Sequence, residues 1–328
     1  MFRTGVKGRS VRRPALLACL TLAAGLLIVG GPASSSAAGS PAGAASVAEC
    51  TTVTQSNARS RPGKSGSDPN DLDQRQVLAA EAAVAQRLAA KGLTAGSRIA
   101  LPKITIDVRV HVITRNDGSG GVSTAAIRRQ IDVLNTAFAG KTYAGSAPTV
   151  FRFATKSIDY TRNTDWYDWS LDFDDDDAKA KAALHKGGLD DLNLYITGLQ
   201  DGLLGYATFP FDTTLVDDGV VLLNASLPGG GAVPYDEGDT ATHEVGHWLG
   251  LYHTFENGCT APGDAVSDTP YQFDGQNIFF CNESDDTCLA PGKDPVHNFM
   301  SYGDDPCMDR FTPGQSLRMG LAWLAFRR

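Results

Sequence analysis

The chain has 328 residues, 42% hydrophobic and 20% charged, with a formal net charge of −8. That length suffices for one sizeable core plus additional segments, and the composition is that of a soluble globular protein rather than a fibrous or disordered one. The acidic balance argues against nucleic acid or an anionic lipid surface as partner and is compatible with basic peptides or calcium.

The N-terminus reads as a secretory signal over residues 1–38. Arg3, Lys7, Arg9, Arg12 and Arg13 precede an apolar run from Ala15 to Val29, and the small residues that follow offer cleavage sites such as after Ala38. The run is short for a membrane span and contains Gly25, so no stable membrane anchor is expected, and the mature protein is expected outside the cell. Residues 39–100 read as a pro-segment. Its first part is rich in Gly, Ser, Ala and Pro and lacks an apolar period. Asp73 to Lys91 then reads as a helix ended by Gly92, with Val77, Val84 and Leu88 in a thin apolar stripe that needs another surface to cover it.

The catalytic domain is expected over residues 101–328. Ile104 to Val112 alternates apolar with polar residues, as a half-buried strand does, and His111 within it reads as a packed strand histidine. Asn116-Asp117-Gly118 makes a turn, and Ser123 or Thr124 caps a helix whose Ile127, Ile131, Leu134 and Phe138 share a face. Val150–Ile158, Leu189–Ile196 and Val220–Leu223 read as further strands. Trp166, Tyr167 and Trp169 read as packing aromatics. The acidic run Asp172 to Asp177 lacks the spacing and glycine of an EF-hand loop and reads as solvated.

The chemistry concentrates at His243-Glu244-Val245-Gly246-His247-Trp248-Leu249-Gly250-Leu251-Tyr252-His253. On a helix, His243 and His247 stand one turn apart on one face, so both imidazoles reach a single ion. Gly250 supplies the left-handed turn that ends the helix and returns His253 as a third ligand. Three neutral nitrogens leave a fourth position for water, the donor set of a catalytic Zn2+ site, and Glu244 is placed to serve as the base toward that water. Asp239 is the expected cap of this helix. Farther on, Thr312-Pro313-Gly314-Gln315 has a cap, a proline at the first helical position and a glutamine three beyond the cap. It opens a helix to about Phe326 that packs through Leu317, Leu321 and Leu324.

Cys19 leaves with the signal, which leaves Cys50, Cys259, Cys281, Cys288 and Cys307. In an exported chain the last four suggest two disulfides, for which three pairings are possible, and the lack of a C-x-x-C pair counts against a zinc thiolate site.

The pattern H-E-x-x-H-x-x-G-x-x-H is the signature of metzincin metallopeptidases, and Asn298-Phe299-Met300-Ser301-Tyr302 supplies the Met-turn that signature requires. The wording from His243 to Phe255, Asp268-Thr269-Pro270, the Met-turn, and Cys307 with Phe311-Thr312 together resemble the pappalysin family of metzincins (M43 peptidases), from about Ile104 to the C-terminus. The resemblance implies an α/β (α+β) zincin domain. It would have a twisted, mostly parallel sheet, an antiparallel edge strand at Gly205–Pro210 over the cleft, an active-site helix and a loop-rich disulfide-bonded C-terminal part. It implies the crossed pairs Cys259–Cys288 and Cys281–Cys307, Met300 as the floor beneath the ligands, and Tyr302 as a donor to the oxyanion. A calcium loop at Asp264, Val266, Asp268 and Thr269 is also implied, as is an S1′ pocket in which Asp305 favours Arg or Lys. Cys50 reads either as an unpaired or intermolecular thiol or, by the resemblance to metzincins with a cysteine switch, as a pro-segment thiolate on the metal. The relatives' Gly-Arg-Thr is replaced here by Gly238-Asp239-Thr240.

The expected activity is a secreted zinc endopeptidase, monomeric, acting on proteins or peptides. A secreted binding module that keeps zinc for stability, or a metal-dependent hydrolase of non-peptide substrates, are the rival classes. A module of the first kind has no need of Glu244 or of all three ligands.

Overall fold

A computed structural model describes Asp68, Ser97 and residues 70–94, 100–170 and 176–328. The signal and Cys50 lie outside the described residues. Five strands form the central sheet: β1 (Ile104–Thr114), β2 (Phe151–Arg162), β3 (Leu192–Thr197), β4 (Gly205–Ala207) and β5 (Val220–Leu223). Their order is β2-β1-β3-β5-β4. All neighbours are parallel except β4, which runs antiparallel to β5 at the edge. β1 and β2 extend beyond the expected ends because they pair with each other along their whole length, through a register shift at Val108/Arg109.

The sheet is covered on both faces, which is why β3 is buried at every position rather than alternating. On one face, Ile106, Val108, Val110 and Val112 join one core with Ile127, Ile131, Leu134 and Phe138 of helix α2 (Thr124–Phe138). Val245 and Trp248, from the helix that carries the histidine motif, complete that layer. Ser123 caps α2 through the amide of Ala126, as its position before the apolar period predicts. On the other face, Tyr167 and Trp169 pack with Tyr195, Tyr206 and Val221. Tyr167 closes the short helix α3 (Thr164–Tyr167), and Ala180 of α4 (Asp176–Leu184) joins this second core. His111 is buried in β1 between Asp159 and Asn193, with ring-nitrogen distances of 3.0 and 2.9 Å.

N-terminal to the sheet lies helix α1 (Gln74–Ala89), opened by a capping box between Asp73 and Gln76. Its stripe of Val77, Ala80, Val84 and Leu88 is buried. The upper half packs on Phe209 and Tyr252, the lower half on Leu321 and Ala325. Glu81 anchors its middle, accepting from the Tyr252 hydroxyl at 2.9 Å and pairing with Arg318.

After the motif helix α5 (Asp239–Trp248), the described chain as far as Phe311 has no strand or α-helix beyond a 3-10 turn at Gln276–Phe279. Disulfides Cys259–Cys288 and Cys281–Cys307 tie this region in the crossed pattern. Helix α6 (Pro313–Ala322) follows, opened by a Thr312/Gln315 capping box, and a π-helical turn, Trp323–Arg327, ends the chain. Its packing differs from expectation. Leu317 is exposed and Leu324 half-buried, while Met319, Leu321, Trp323 and Ala325 face inward. Arg327 is buried and pairs with Asp218 at 2.9 Å, stacks 3.6 Å over the Trp248 ring, and donates to the Trp248 carbonyl. A cation thus satisfies the C-terminal end of α5, where the helix dipole favours positive charge.

Candidate active site

Helix α5 starts after Gly238, whose φ of 101° is one that a residue with a side chain rarely adopts. Asp239 is therefore not the cap but the first helical residue. The free amides at this end are satisfied by a residue distant in sequence. Asp305 Oδ2 accepts from the N–H groups of Glu237, Gly238 and Asp239 at 2.8, 3.0 and 3.3 Å. A carboxylate at a helix N-terminus is favoured by the dipole as well as by the hydrogen bonds. Asp305 is buried.

At its other end the helix turns at Gly250, with φ of 91°, and the Leu251 amide returns to the Gly246 carbonyl at 3.0 Å. That turn carries His253 back beside His247. The Nε2 atoms of His243 and His247 are 3.0 Å apart, and those of His247 and His253 are 3.1 Å apart. His243 Nδ1 lies 2.7 Å from the Phe299 carbonyl and His247 Nδ1 2.8 Å from the Leu251 carbonyl. Each Nδ1 must donate there, so each Nε2 presents a lone pair to the centre. Lone pairs converge stably only on a cation, and a tetrahedral zinc with bonds of about 2.0–2.1 Å spaces its nitrogens at about 3.3 Å. The donor set fits that ion. Burial holds His247 well below its ordinary value, reinforced by His253. At His253 burial acts downward too, but the carboxylates of Asp68 and Glu256 outweigh it and raise the group to about 10.

Met300 packs against α5 between His243 and His247, where a Cβ on Gly246 would come within 2.4 Å of its sulfur. Glycine inside this helix, a poor helix former, is thus explained by the close approach of the Met-turn. The turn itself is held by Asn298. Its Oδ1 accepts the Met300 amide and its side chain exchanges two hydrogen bonds with Gln315, each at 2.9 Å, so the Met-turn is tied to the start of α6.

Glu244 is buried, and the edge strand passes directly over it, since a Cβ on Gly205 would sit 2.9 Å from its Cγ. Tyr302 is buried with its ring 4.9 Å from that of His253, and burial raises its hydroxyl pKa well above the usual value. The Tyr302 hydroxyl donates to Asp68 Oδ2, and the same oxygen lies 3.3 Å from His253 Nε2. Asp68 stands within the stretch expected to lack regular structure, and its part in the site had no motif to announce it. Glu256 was likewise missed. Its carboxylate is buried 3.7 Å from His253 Nδ1, beyond direct hydrogen-bond distance, and adds negative charge behind that ring.

Asp264 is buried with its pKa pushed up to about 7 by that burial, and Ala265 beside it has φ of 57°. Asp264 Oδ2 and Thr269 Oγ1 have no hydrogen-bond partner among the described residues. Val266 lies between them and donates its amide to Asp264 Oδ1. Asp268 faces elsewhere, accepting from Thr312 Oγ1 and the Gly314 amide at the start of α6, so it does not belong with the calcium-loop oxygens.

A sheet of this order, an edge strand over a histidine-bearing helix and a methionine beneath it define a metzincin-type metallopeptidase domain. The family model described as Pregnancy-associated plasma protein-A, peptidase family M43, matches residues 182–323. An extracellular metalloprotease of Colletotrichum graminicola is 44% identical over 257 residues, covering 74% of this chain and 86% of that protein. One from Pyricularia oryzae is 40% identical over 246 residues, covering 73% and 81%. Among solved structures, mature mirolysin of Tannerella forsythia in complex with a cleaved peptide is 31% identical, with a TM-score of 0.57, covering 67% of this chain and 91% of that one. A mutant of promirolysin from the same organism is 28% identical with a TM-score of 0.62, covering 78% and 93%. The chain belongs to the M43 family of metalloendopeptidases.

Proposed function

We propose that the protein is a secreted zinc endopeptidase with Glu244 as general base and His243, His247 and His253 as the metal ligands. The observation that carries this is the convergence of three Nε2 atoms beside a buried glutamate on the same helix. Bound there, zinc supplies Lewis acidity toward a water and the scissile carbonyl. Glu244 takes the proton of the attacking water and delivers it to the leaving amine. Tyr302, freed from Asp68, donates to the developing oxyanion. Strand β4 binds the substrate backbone as an added strand, because its outer edge is where the sheet ends.

Residues 39–100 act as a pro-segment of which α1 is the folded part, and residues 101–328 form the catalytic domain. Calcium binding at Asp264, Val266 and Thr269 is supported by the two buried oxygens that lack partners. For Asp305, the buried carboxylate just beyond the Met-turn supports an S1′ pocket that favours Arg or Lys at P1′. The test of that preference is the P1′ profile of Asp305→Asn, which keeps an acceptor for the helix amides while removing the charge. Loss of the basic preference is expected, and an unchanged profile rejects the pocket. For the activity itself, casein turnover abolished by a zinc chelator and by Glu244→Ala is expected. Intact turnover in Glu244→Ala excludes the glutamate as base.

A further inference from the structure

Helix α1 lies on a face whose parts are held in place by one another. Phe209 and Tyr252 pack against its first half and Leu321 and Ala325 against its second, with Phe211 joining both clusters. Phe209 stacks on Phe211 with ring centroids 4.8 Å apart, and Phe211 lies 6.0 Å from Tyr252 and 6.4 Å from Phe326. A cation stands among these rings. Arg318 Nε donates to the Gly250 carbonyl at 2.8 Å, and its guanidinium lies 4.4 Å over the Tyr252 ring. Neither contact involves α1. The guanidinium is thus set in advance for Glu81, with which it pairs at 2.5 Å, and a fixed arginine binds a carboxylate with little further loss of side-chain freedom.

The helix uses this face through Val77, Ala80, Val84 and Leu88, one stripe at helical spacing, but does not fill it. A crevice of about 150 Å3 remains beneath α1, beside Val84, Leu88, Phe211 and Leu321. Packed interiors leave few voids larger than a water molecule, so the groove accepts more apolar volume than α1 supplies. The face also begins at the catalytic centre. Phe209 stands two residues beyond strand β4, and its ring is 5.3 Å from that of His247. Without α1 the rings would form a contiguous apolar surface around a cation, and surfaces of that kind mark sites of protein interaction.

We propose that the face covered by α1 becomes, once α1 is released, an exosite for protein substrates. It takes an amphipathic helix with apolar residues at the spacing of Val77, Ala80, Val84 and Leu88 and an acidic residue placed, like Glu81, against Arg318 and Tyr252. The proposal rests on the reading of residues 39–100 as a pro-segment, and it concerns the choice among substrates. Helix-in-groove recognition depends on anchors three, four and seven residues apart, which is the pattern α1 displays. A substrate held there keeps its scissile segment near the cleft at a high effective concentration, which lowers KM without any new contact to the reacting atoms.

The test uses enzyme processed from the full precursor, with mass spectrometry showing whether Asp73–Lys91 has been removed. Two fluorogenic substrates are compared: a short cleavable sequence alone, and the same sequence joined through a Gly/Ser linker to a copy of Asp73–Lys91. The helix-bearing substrate is expected to have a KM lower by about tenfold or more at unchanged kcat. Within that substrate, Val84→Leu should lower KM further by filling the crevice, and Glu81→Lys should return it to the value of the short form. The free Asp73–Lys91 peptide should compete with the helix-bearing substrate and leave the short one unaffected. Equal KM values for the two substrates overturn the proposal, and so does a low KM that Glu81→Lys leaves intact. Competition against both substrates alike places the peptide in the cleft and overturns it too. If the processed enzyme retains Asp73–Lys91, the pro-segment reading fails and the proposal with it, a result distinct from the others. Every substitution sits in the substrate, so misfolding of the enzyme cannot mimic any of these outcomes.

Discussion

At the scale of single residues, the site depends on groups whose role is set by what lies opposite them. Glu244 is buried beneath the edge strand, and its removal should cost activity without cost to the metal. Glu244→Ala is expected to lower turnover by roughly 10²–10⁴-fold, the range for a positioned acid–base group, with one equivalent of zinc retained. Metal analysis alongside a casein assay checks both halves. Gly246 is constrained from the other side. Gly246→Ala adds helix propensity but drives a methyl group into the Met300 sulfur. Overpacking of this kind costs about 1–3 kcal/mol, so the variant should unfold at lower denaturant concentration despite its better helix former. An unchanged midpoint would falsify the view of Met300 as a tight floor. The histidines and Glu244 were legible because their spacing alone brings them to one helical face. Glu256 was not, since nothing in the letters shows which of its neighbours a buried carboxylate will face.

At the scale of elements, helix α5 is held at both ends by residues remote in sequence. Asp305 accepts from its first amides, and Arg327 covers its last carbonyls while pairing with Asp218. Breaking a buried pair by deleting one partner typically costs about 3–5 kcal/mol, because the other charge is left uncompensated. Asp218→Ala should therefore lower the melting temperature sharply and also impair catalysis, since the same element carries His243 and His247. Calorimetry with a parallel activity assay reads both effects. Helix α1 shows how far pattern reaches. Its boundaries followed from a capping box and a glycine, and its apolar stripe foretold that something must cover it. The covering surface, Phe209, Tyr252, Leu321 and Ala325, comes from two distant segments that no local pattern associates with α1. Burying Val77, Val84 and Leu88 stabilises the docking by roughly 1.5–3 kcal/mol each.

At the scale of the whole molecule, the sheet supplies rigidity and the C-terminal half supplies chemistry without regular structure of its own. The region between α5 and α6 depends on its two disulfides, with sequence separations of 29 and 26 residues, to limit the unfolded ensemble. Each is expected to contribute about 3–4 kcal/mol by loop closure. Converting Cys281 and Cys307 together to serine should destabilise the Met-turn side and raise the rate of zinc loss, measurable with a zinc-sensitive dye. Calcium added to protein dialysed free of it should raise the melting temperature, and Asp264→Asn should abolish the rise. No shift in the unsubstituted protein rejects the calcium loop.

The sequence by itself determined the local facts. The helix bearing His243, Glu244 and His247, the glycine turn to His253, the alternation of β1 and the capping box of α6 each depend on periods and spacings shorter than a dozen residues. Even the identity of the family was legible there, because the motif and the Met-turn are both contiguous strings. Tertiary structure decided what meets across distance. It made Asp305 rather than Asp239 the acceptor at the start of α5, turned Asp268 to the start of α6, and turned Arg327 back onto Trp248. It also set Asp68 against His253 and Tyr302, a contact across 185 and 234 residues. The reason is physical. Period and propensity act along the chain, whereas the partner of a buried charge is chosen by whichever segment the packed core brings within about 3 Å of it.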